Sequence, residues 1–264
     1  MDLTRHLAVA ETVADEAEAM FVAGLGADPS EFKLPGDFVT HADLEIEATV
    51  REMLEEASGI HVYGEEAGGD YDPQAMWIVD PIDGTSNYAA GNPMCAILIS
   101  LIVDGQPRVA VTSIPLLGRR LTMVDGGPVY VNGRPIEPIA DRCELVSQVG
   151  FSSVSSPKTS GHSSGYRQEM LSRLASGPLR PRITGSVGVD LALTAQGIFD
   201  ASVSFSPYVW DNAAGVALVR AAGGVVTDIN GDAWHPQATG VVAGTPSAHA
   251  EIMGTMAEID RSSS

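Results

Sequence analysis

Cysteine is scarce in this chain, with Cys95 and Cys143 the only two in 264 residues. They form no Cys-X-X-Cys pair, which excludes a disulfide framework and fits a reducing compartment. Cys95 sits in the apolar run Met94–Leu98 and reads as a buried free thiol. Positive charge is scarce too: 15 basic residues, two of them lysines, face 34 acidic ones, for a formal net charge of −19. Such a surface repels nucleic acid and anionic membranes and argues against both as partners. It also repels a phosphorylated metabolite unless a bound cation reverses the local field. No apolar run approaches the roughly 20 residues that span a bilayer. The first twenty residues carry acids throughout, unlike a signal peptide. The expectation is a soluble cytoplasmic protein.

The hydrophobic content, 44%, is enough to bury one large domain or two lobes. Leu3, Leu7, Ala10, Val13, Ala14, Ala17, Met20 and Phe21 recur at helical spacing, and Gly24 and Gly26 close that helix. A second helix follows Thr40 with Ile46, Val50, Met53, Leu54 and Ala57 on one face, stopped by Ser58-Gly59. Short strands are predicted at 60–63, 76–80, 95–103, 108–114 and 120–124, and Asn132-Gly133 suits a tight hairpin. The Ser-rich segment 152–165 reads as a mobile loop or connector. A lobe boundary falls before "LVSQVGF", dividing 1–143 from 144–264. Beyond it, Ser186 caps a helix through Ala195, "ASVSF" is a strand and 211–222 a helix. Asn230-Gly231 joins two strands as a hairpin, "GVVAG" is the last strand, and Thr245-Pro246 opens the final helix. Strands, helices and hairpins interleave, so the expected architecture is a layered α/β sandwich of alternating α and β layers in two lobes.

Several acids stand beside apolar or turn residues instead of on a solvated face. Glu65 and Glu66 follow "IHVYG", Asp80 and Asp83 follow "WIV", and Asp211 follows "YVW" ahead of a helix. Strand ends are where side chains converge on a cleft. Buried carboxylates cannot ionise side by side without a cation, and a hard divalent ion such as Mg²⁺ accepts oxygen ligands. In "DPIDGTS", Pro81 pushes Asp80 into an extended conformation, and a turn returns Asp83 to the same side. The turn also frees the Ile82 carbonyl as a neutral ligand. Gly84 lets backbone approach a ligand, and Thr85 and Ser86 open a helix whose free amides suit phosphate. For Asp43, Asp83 and Asp211 a plain helix-capping role is the competing reading. The haloacid dehalogenase-like phosphatases place their motif acids two apart, not three, and need a later lysine, whereas the one later lysine here, Lys158, lies in the Ser-rich segment. "GHSSG", 161–165, has Pro157 and serines before it in place of the strand a nucleophile elbow requires.

Assembled, these residues resemble the inositol monophosphatase family, in a form similar to its actinobacterial members. The resemblance rests on "DFVTHAD" at 37–43, "GEE" at 64–66, "DPIDGT" at 80–85 and "WDNAAGVALVRAAGG" at 210–224. It implies a phosphomonoesterase with two or three Mg²⁺ ions, inhibited by lithium, usually a homodimer. By that resemblance Glu65, Asp80, Ile82, Asp83 and Asp211 hold metal, Gly84 and Thr85 meet phosphate, and Asp43 and Thr85 orient the attacking water. Gly185, Ser186 and Val187 fall where the family contacts the alcohol. Ser204 stands where inositol-specific members often carry a glutamate. Inositol 1-phosphate is the leading substrate. Histidinol phosphate, fructose 1,6-bisphosphate and a phosphoadenosine phosphate are alternatives, and a non-catalytic metal-binding regulatory protein is the rival of another class.

Overall fold

The computed structural model describes residues 1–34, 37–141, 147–155 and 161–263. Five layers alternate. The outermost holds helices α1 (Leu3–Ala23) and α2 (His41–Ser58). Asp2 caps α1 by accepting the Arg5 amide at 3.0 Å. Thr40 and Asp43 cap α2 reciprocally, side chain to backbone, in a capping box. The apolar stripe expected on α1 (Ala10, Val13, Ala14, Ala17, Phe21) is buried against the first sheet.

That sheet has seven strands in sequence order: β3 (Val62–Gly64), β4 (Ala75–Asp83), β5 (Ala96–Val103), β6 (Gln106–Ile114), β7 (Arg119–Val124), β8 (Tyr130–Val131) and β9 (Arg134–Pro135). Only the β3–β4 pair is parallel. Asn132 and Gly133, both at positive φ, make the β8–β9 hairpin as expected.

The middle layer is α5 (Val187–Ala195) and α6 (Val209–Ala221). Both are apolar nearly all round, because each packs on its neighbour and on a sheet to either side. The second sheet orders β11 (Leu179–Arg182), β10 (Ser147–Phe151), β12 (Ala201–Ser204), β14 (Val241–Gly244) and β13 (Val225–Thr227). β10 runs parallel to both its neighbours, and the β14 pairings are antiparallel. Helices α4 (Ser164–Ser176) and α7 (Pro246–Ser263) close the outer face. This is the layered α/β sandwich expected. No helix among the described residues is long and apolar enough to cross a membrane.

Several expectations change. The strand predicted to stop at Asp80 continues to Asp83 through a bulge: Asp80 pairs with Leu98, but Asp83 pairs with Ala96. Pro81 and Ile82 of β4 thus oppose the single residue Ile97 of β5, and Pro81 sits where no ladder amide is needed. A hairpin of β1 (Pro29–Leu34) and β2 (Asp37–Thr40) precedes α2. The Ser-rich segment is in part a helix start, with Ser163 capping α4 by accepting the Tyr166 amide at 3.2 Å. "DAWH" is not a full strand and makes a single bridge, Thr227 to Ala233. Cys143 and the boundary at 143/144 lie outside the described residues, as do 156–160 of the Ser-rich segment. Cys95 is buried and free, and burial pushes its thiol up to about 12.

Candidate active site

The β4 bulge decides where the acids point. In an unbroken strand, residues three apart face opposite sides. The extra residue resets the alternation, and Asp80 and Asp83 both line one cleft of about 230 Å³. Glu65, Ile82, Gly84, Thr85, Ser86, Gly185, Tyr208, Trp210, Asp211 and Phe38 complete its wall. Five separate stretches of chain therefore meet there.

Each is held by a particular contact. The Glu65 amide bonds the Val79 carbonyl at 3.2 Å, fixing Glu65 beside the end of β4. Beneath it lies Glu47, 1% exposed, whose Oε2 accepts the Glu66 amide at 2.7 Å and Oε1 the Ala67 amide at 2.8 Å. Arg51 supports the same turn through Glu47, the Val62 carbonyl and the Gly68 carbonyl. Gly64 is required by this packing, since a Cβ there would come 2.4 Å from Glu47 Oε1. Sequence reasoning missed Glu47. The available signal was an acid four residues after Asp43, on the same helix face.

Gly84 adopts φ +87 and caps the short helix α3 (Thr85–Ala89). A Cβ there would be strained by that angle and would lie 3.1 Å from the Met94 carbonyl. Asn87 ties this turn to the other half of the chain, donating to the Met94 carbonyl at 2.6 Å and the Thr184 carbonyl at 2.8 Å. Asp83 Oδ2 accepts the Ser186 hydroxyl at 2.5 Å and the Gly188 amide at 2.6 Å, at the start of α5. Asp211 sits in the first turn of α6. Asn212 holds the approach to that helix by donating to the Ser206 and Tyr208 carbonyls at 3.0 and 2.7 Å.

Asp43 is fully buried and does not line the cleft. Its Oδ2 accepts the Thr40 amide at 2.8 Å and the Thr40 hydroxyl at 2.6 Å. Its Oδ1 faces the Thr85 hydroxyl at 3.3 Å, and that hydroxyl also lies 3.0 Å from the Ile82 carbonyl. Asp43 thus stands behind Thr85, as well as capping α2. Ser186 and Val187 stand one step behind Gly185 and do not line the wall. Ser204 is not brought to the cleft either: it is 2% exposed, and its Oγ accepts the Ser206 amide at 3.1 Å.

The electrostatics are lopsided. Burial, then the charges of Glu65, Asp83, Asp211 and Asp43, hold the Asp80 carboxyl well above the usual range. Burial pushes Asp83 up to about 6, against the opposing pull of its Ser186 and amide donors. Burial also raises Asp43, against its Thr40 bonds. Among the described residues lining the cleft none is basic. The donors are all hard oxygens, which fits a cation such as Mg²⁺, and the described lining offers none of the Cys or His ligands typical of zinc. Among the described residues no three acidic, His or Cys side chains form a finished ligand cluster, so it is the donor set that carries this fit.

The sequence and the fold have counterparts among known proteins. The model of the inositol monophosphatase family matches residues 3–261. This chain belongs to the inositol monophosphatase family. The chain is 43% identical over 252 residues to inositol-1-monophosphatase ImpA of Mycolicibacterium smegmatis, covering 95% of this chain and 91% of that one. It is 33% identical over 251 residues to a histidinol-phosphatase of Mycobacterium tuberculosis, covering 94% and 96%. The solved extragenic suppressor protein suhB from Bartonella henselae superposes with TM-score 0.83 at 28% identity, covering 94% and 98%. As a member of this family the chain is a phosphatase, a phosphoric monoester hydrolase.

Proposed function

We propose that the chain is a Mg²⁺-dependent phosphomonoesterase that hydrolyses inositol 1-phosphate to inositol and phosphate. The carrying observation is that Glu65, Asp80, Ile82, Asp83, Thr85 and Asp211 line one cleft whose described lining includes no cationic side chain. The 43% identity to a protein named for that substrate supports the choice.

Glu65, Asp80, the Ile82 carbonyl, Asp83 and Asp211 hold Mg²⁺. A divalent cation bound there supplies neutralisation of phosphoryl charge and a lowered pKa for water. Thr85 lies on the wall and directs a water by its hydroxyl, whose orientation Asp43 and the Ile82 carbonyl set between them. Thr40 keeps Asp43 Oδ2 occupied, so that Oδ1 is left to face Thr85. Gly84 and Thr85, at the start of α3, offer amides without intrahelical partners to the phosphoryl oxygens. The alcohol leaves along the wall made by Gly185, Tyr208 and Trp210. No side chain attacks phosphorus in this scheme, so no covalent enzyme intermediate forms.

The test is phosphate release by purified protein with Mg²⁺ from a panel of phosphomonoesters. Inositol 1-phosphate should lead, chelation should stop release, and millimolar Li⁺ should slow it. Release from no ester would overturn the proposal. Preference for histidinol phosphate would move the substrate to that of the 33% identical relative.

A further inference from the structure

The cleft wall carries two chemically distinct sets of residues. The proposed reaction assigns Glu65, Asp80, Asp83, Gly84, Thr85 and Asp211 to cation and phosphate. The same wall also carries Tyr208, Trp210 and Phe38. Tyr208 and Trp210 are stacked, with ring centroids 4.9 Å apart and planes within 7°. Trp210 is backed by Tyr63, at 5.7 Å, and Tyr63 by Tyr71, edge-on at 6.2 Å. Behind the exposed ring of Tyr208 there is thus a continuous aromatic support.

The platform is also fixed at its base. The Tyr208 amide donates to Ser206 Oγ at 3.2 Å, and its carbonyl accepts Asn212 Nδ2 at 2.7 Å. Tyr208 is the N-cap residue of α6, three positions before Asp211. A stacked pair uses one face of each ring, and Tyr208 remains 52% exposed although it is packed against Trp210. An exposed, rigid aromatic surface next to a charged centre is suited to flat or CH-rich ring surfaces. The side chain that would otherwise read hydroxyls, at position 204, is a buried serine whose oxygen is already engaged.

We infer that the Tyr208–Trp210 stack is the specificity platform for the leaving group, and that it selects phosphate esters of ring-bearing alcohols over acyclic ones. This rests on the phosphatase reading above. The shared chemistry is a ring face laid on Tyr208. A cyclic polyol offers its axial CH groups and a heteroaromatic alcohol its π face. The proposed reaction assigns the phosphate to Gly84 and Thr85, so the platform is left to the alcohol.

The experiment compares kcat/KM for inositol 1-phosphate, histidinol phosphate and glycerol 2-phosphate at fixed Mg²⁺. Wild type, Tyr208→Phe and Tyr208→Leu are measured together, with melting curves to establish folding. Phenylalanine keeps the flat face, whereas leucine keeps apolar bulk without it. For the preferred ring ester, the ratio to glycerol 2-phosphate should fall about three- to ten-fold in Tyr208→Leu, chiefly through KM, and persist in Tyr208→Phe. Which ring ester shows the fall identifies a polyol or a heteroaromatic ligand. An unchanged ratio in Tyr208→Leu overturns the platform while leaving the phosphatase intact. So does an equal fall in Tyr208→Phe, which would assign the contact to the hydroxyl. Absence of wild-type turnover on all three esters overturns the phosphatase reading, and this inference with it.

Discussion

Ser186 donates its hydroxyl to Asp83 Oδ2 at 2.5 Å, and the same Ser186 oxygen accepts the Val189 amide at 3.1 Å. One buried atom therefore caps helix α5 and holds a cleft carboxylate that is 103 residues away in the chain. An anion near a helix start is further favoured by the unpaired amides there. Ser186→Ala removes the cap and the charge-assisted bond together, leaving Asp83 only its amide donors. A lost cap costs about 1 kcal/mol and a bond to a charged group about 1.5–3, with overlap between them. Urea denaturation should show a loss of about 2–3 kcal/mol at unchanged m-value, with reduced kcat/KM.

Asp80→Asn should separate function from stability. Asp80 is buried and faced by Glu65, Asp83, Asp211 and Asp43, and in the folded protein these raise its pKa. Without metal that environment opposes folding as the pH rises and the carboxyl ionises, because the folded state holds the proton longer than the unfolded chain. An amide carries no such penalty. The chelated variant should melt higher than chelated wild type at neutral pH. Its turnover should fall at least about a hundredfold, since loss of even outer-shell metal partners reaches that range. Normal turnover at saturating Mg²⁺ would remove Asp80 from the site.

Glu47→Gln tests the support under Glu65. Both Glu47 oxygens accept amides, and Arg51 donates to one of them. Glutamine must turn an NH₂ group toward one of those donors, which leaves a buried donor without a partner. The expected cost is about 1–3 kcal/mol. Because the turn that carries Glu65 loosens, Mg²⁺ binding measured by calorimetry should weaken as well. Destabilisation with unchanged Mg²⁺ affinity would make Glu47 a core residue only.

Local signals were legible and distant ones were not. The caps at Thr40 and Ser186, the Asn132-Gly133 turn and the apolar stripes of α1 and α2 are written within a few residues of where they act. So is the run from Asp80 to Thr85, whose two acids, glycine and threonine the fold brings to one cleft. The bulge at Pro81 was read as a turn, because both shapes bring Asp80 and Asp83 to one side and only the partner strand distinguishes them. Helix α4 was obscured by serines that here act as a cap and first turn. Asn87 reaching Thr184 and the withdrawal of Ser204 from the cleft are tertiary facts with no local signature. Tyr208 and Trp210 were read as part of an apolar lead into Asp211, and only the fold shows them stacked on the wall.

The last prediction concerns pH. Asp190, on α5, is 2% exposed, and its Oδ1 accepts the Thr184 hydroxyl at 2.7 Å. Its Oδ2 has no hydrogen-bond partner among the described residues. Burial pushes this carboxyl up to about 8, with the Thr184 bond pulling it down and the Asp83 charge adding to the rise. In the unfolded chain it titrates near about 3.9. Between those values the folded state keeps a proton that the unfolded state has released. The stabilisation tied to that proton is therefore complete below about pH 4 and is lost as pH rises toward about 8. Asparagine keeps an oxygen for Thr184 and does not titrate. Asp190→Asn should match wild type near about pH 4.5 and gain on it steadily, by at least about 1 kcal/mol at about pH 8. The measurement is urea denaturation across that range in chelated protein, so that cation binding does not enter the balance. A gap independent of pH would mean that Asp190 is ionised in the fold, and that a donor group compensates its charge.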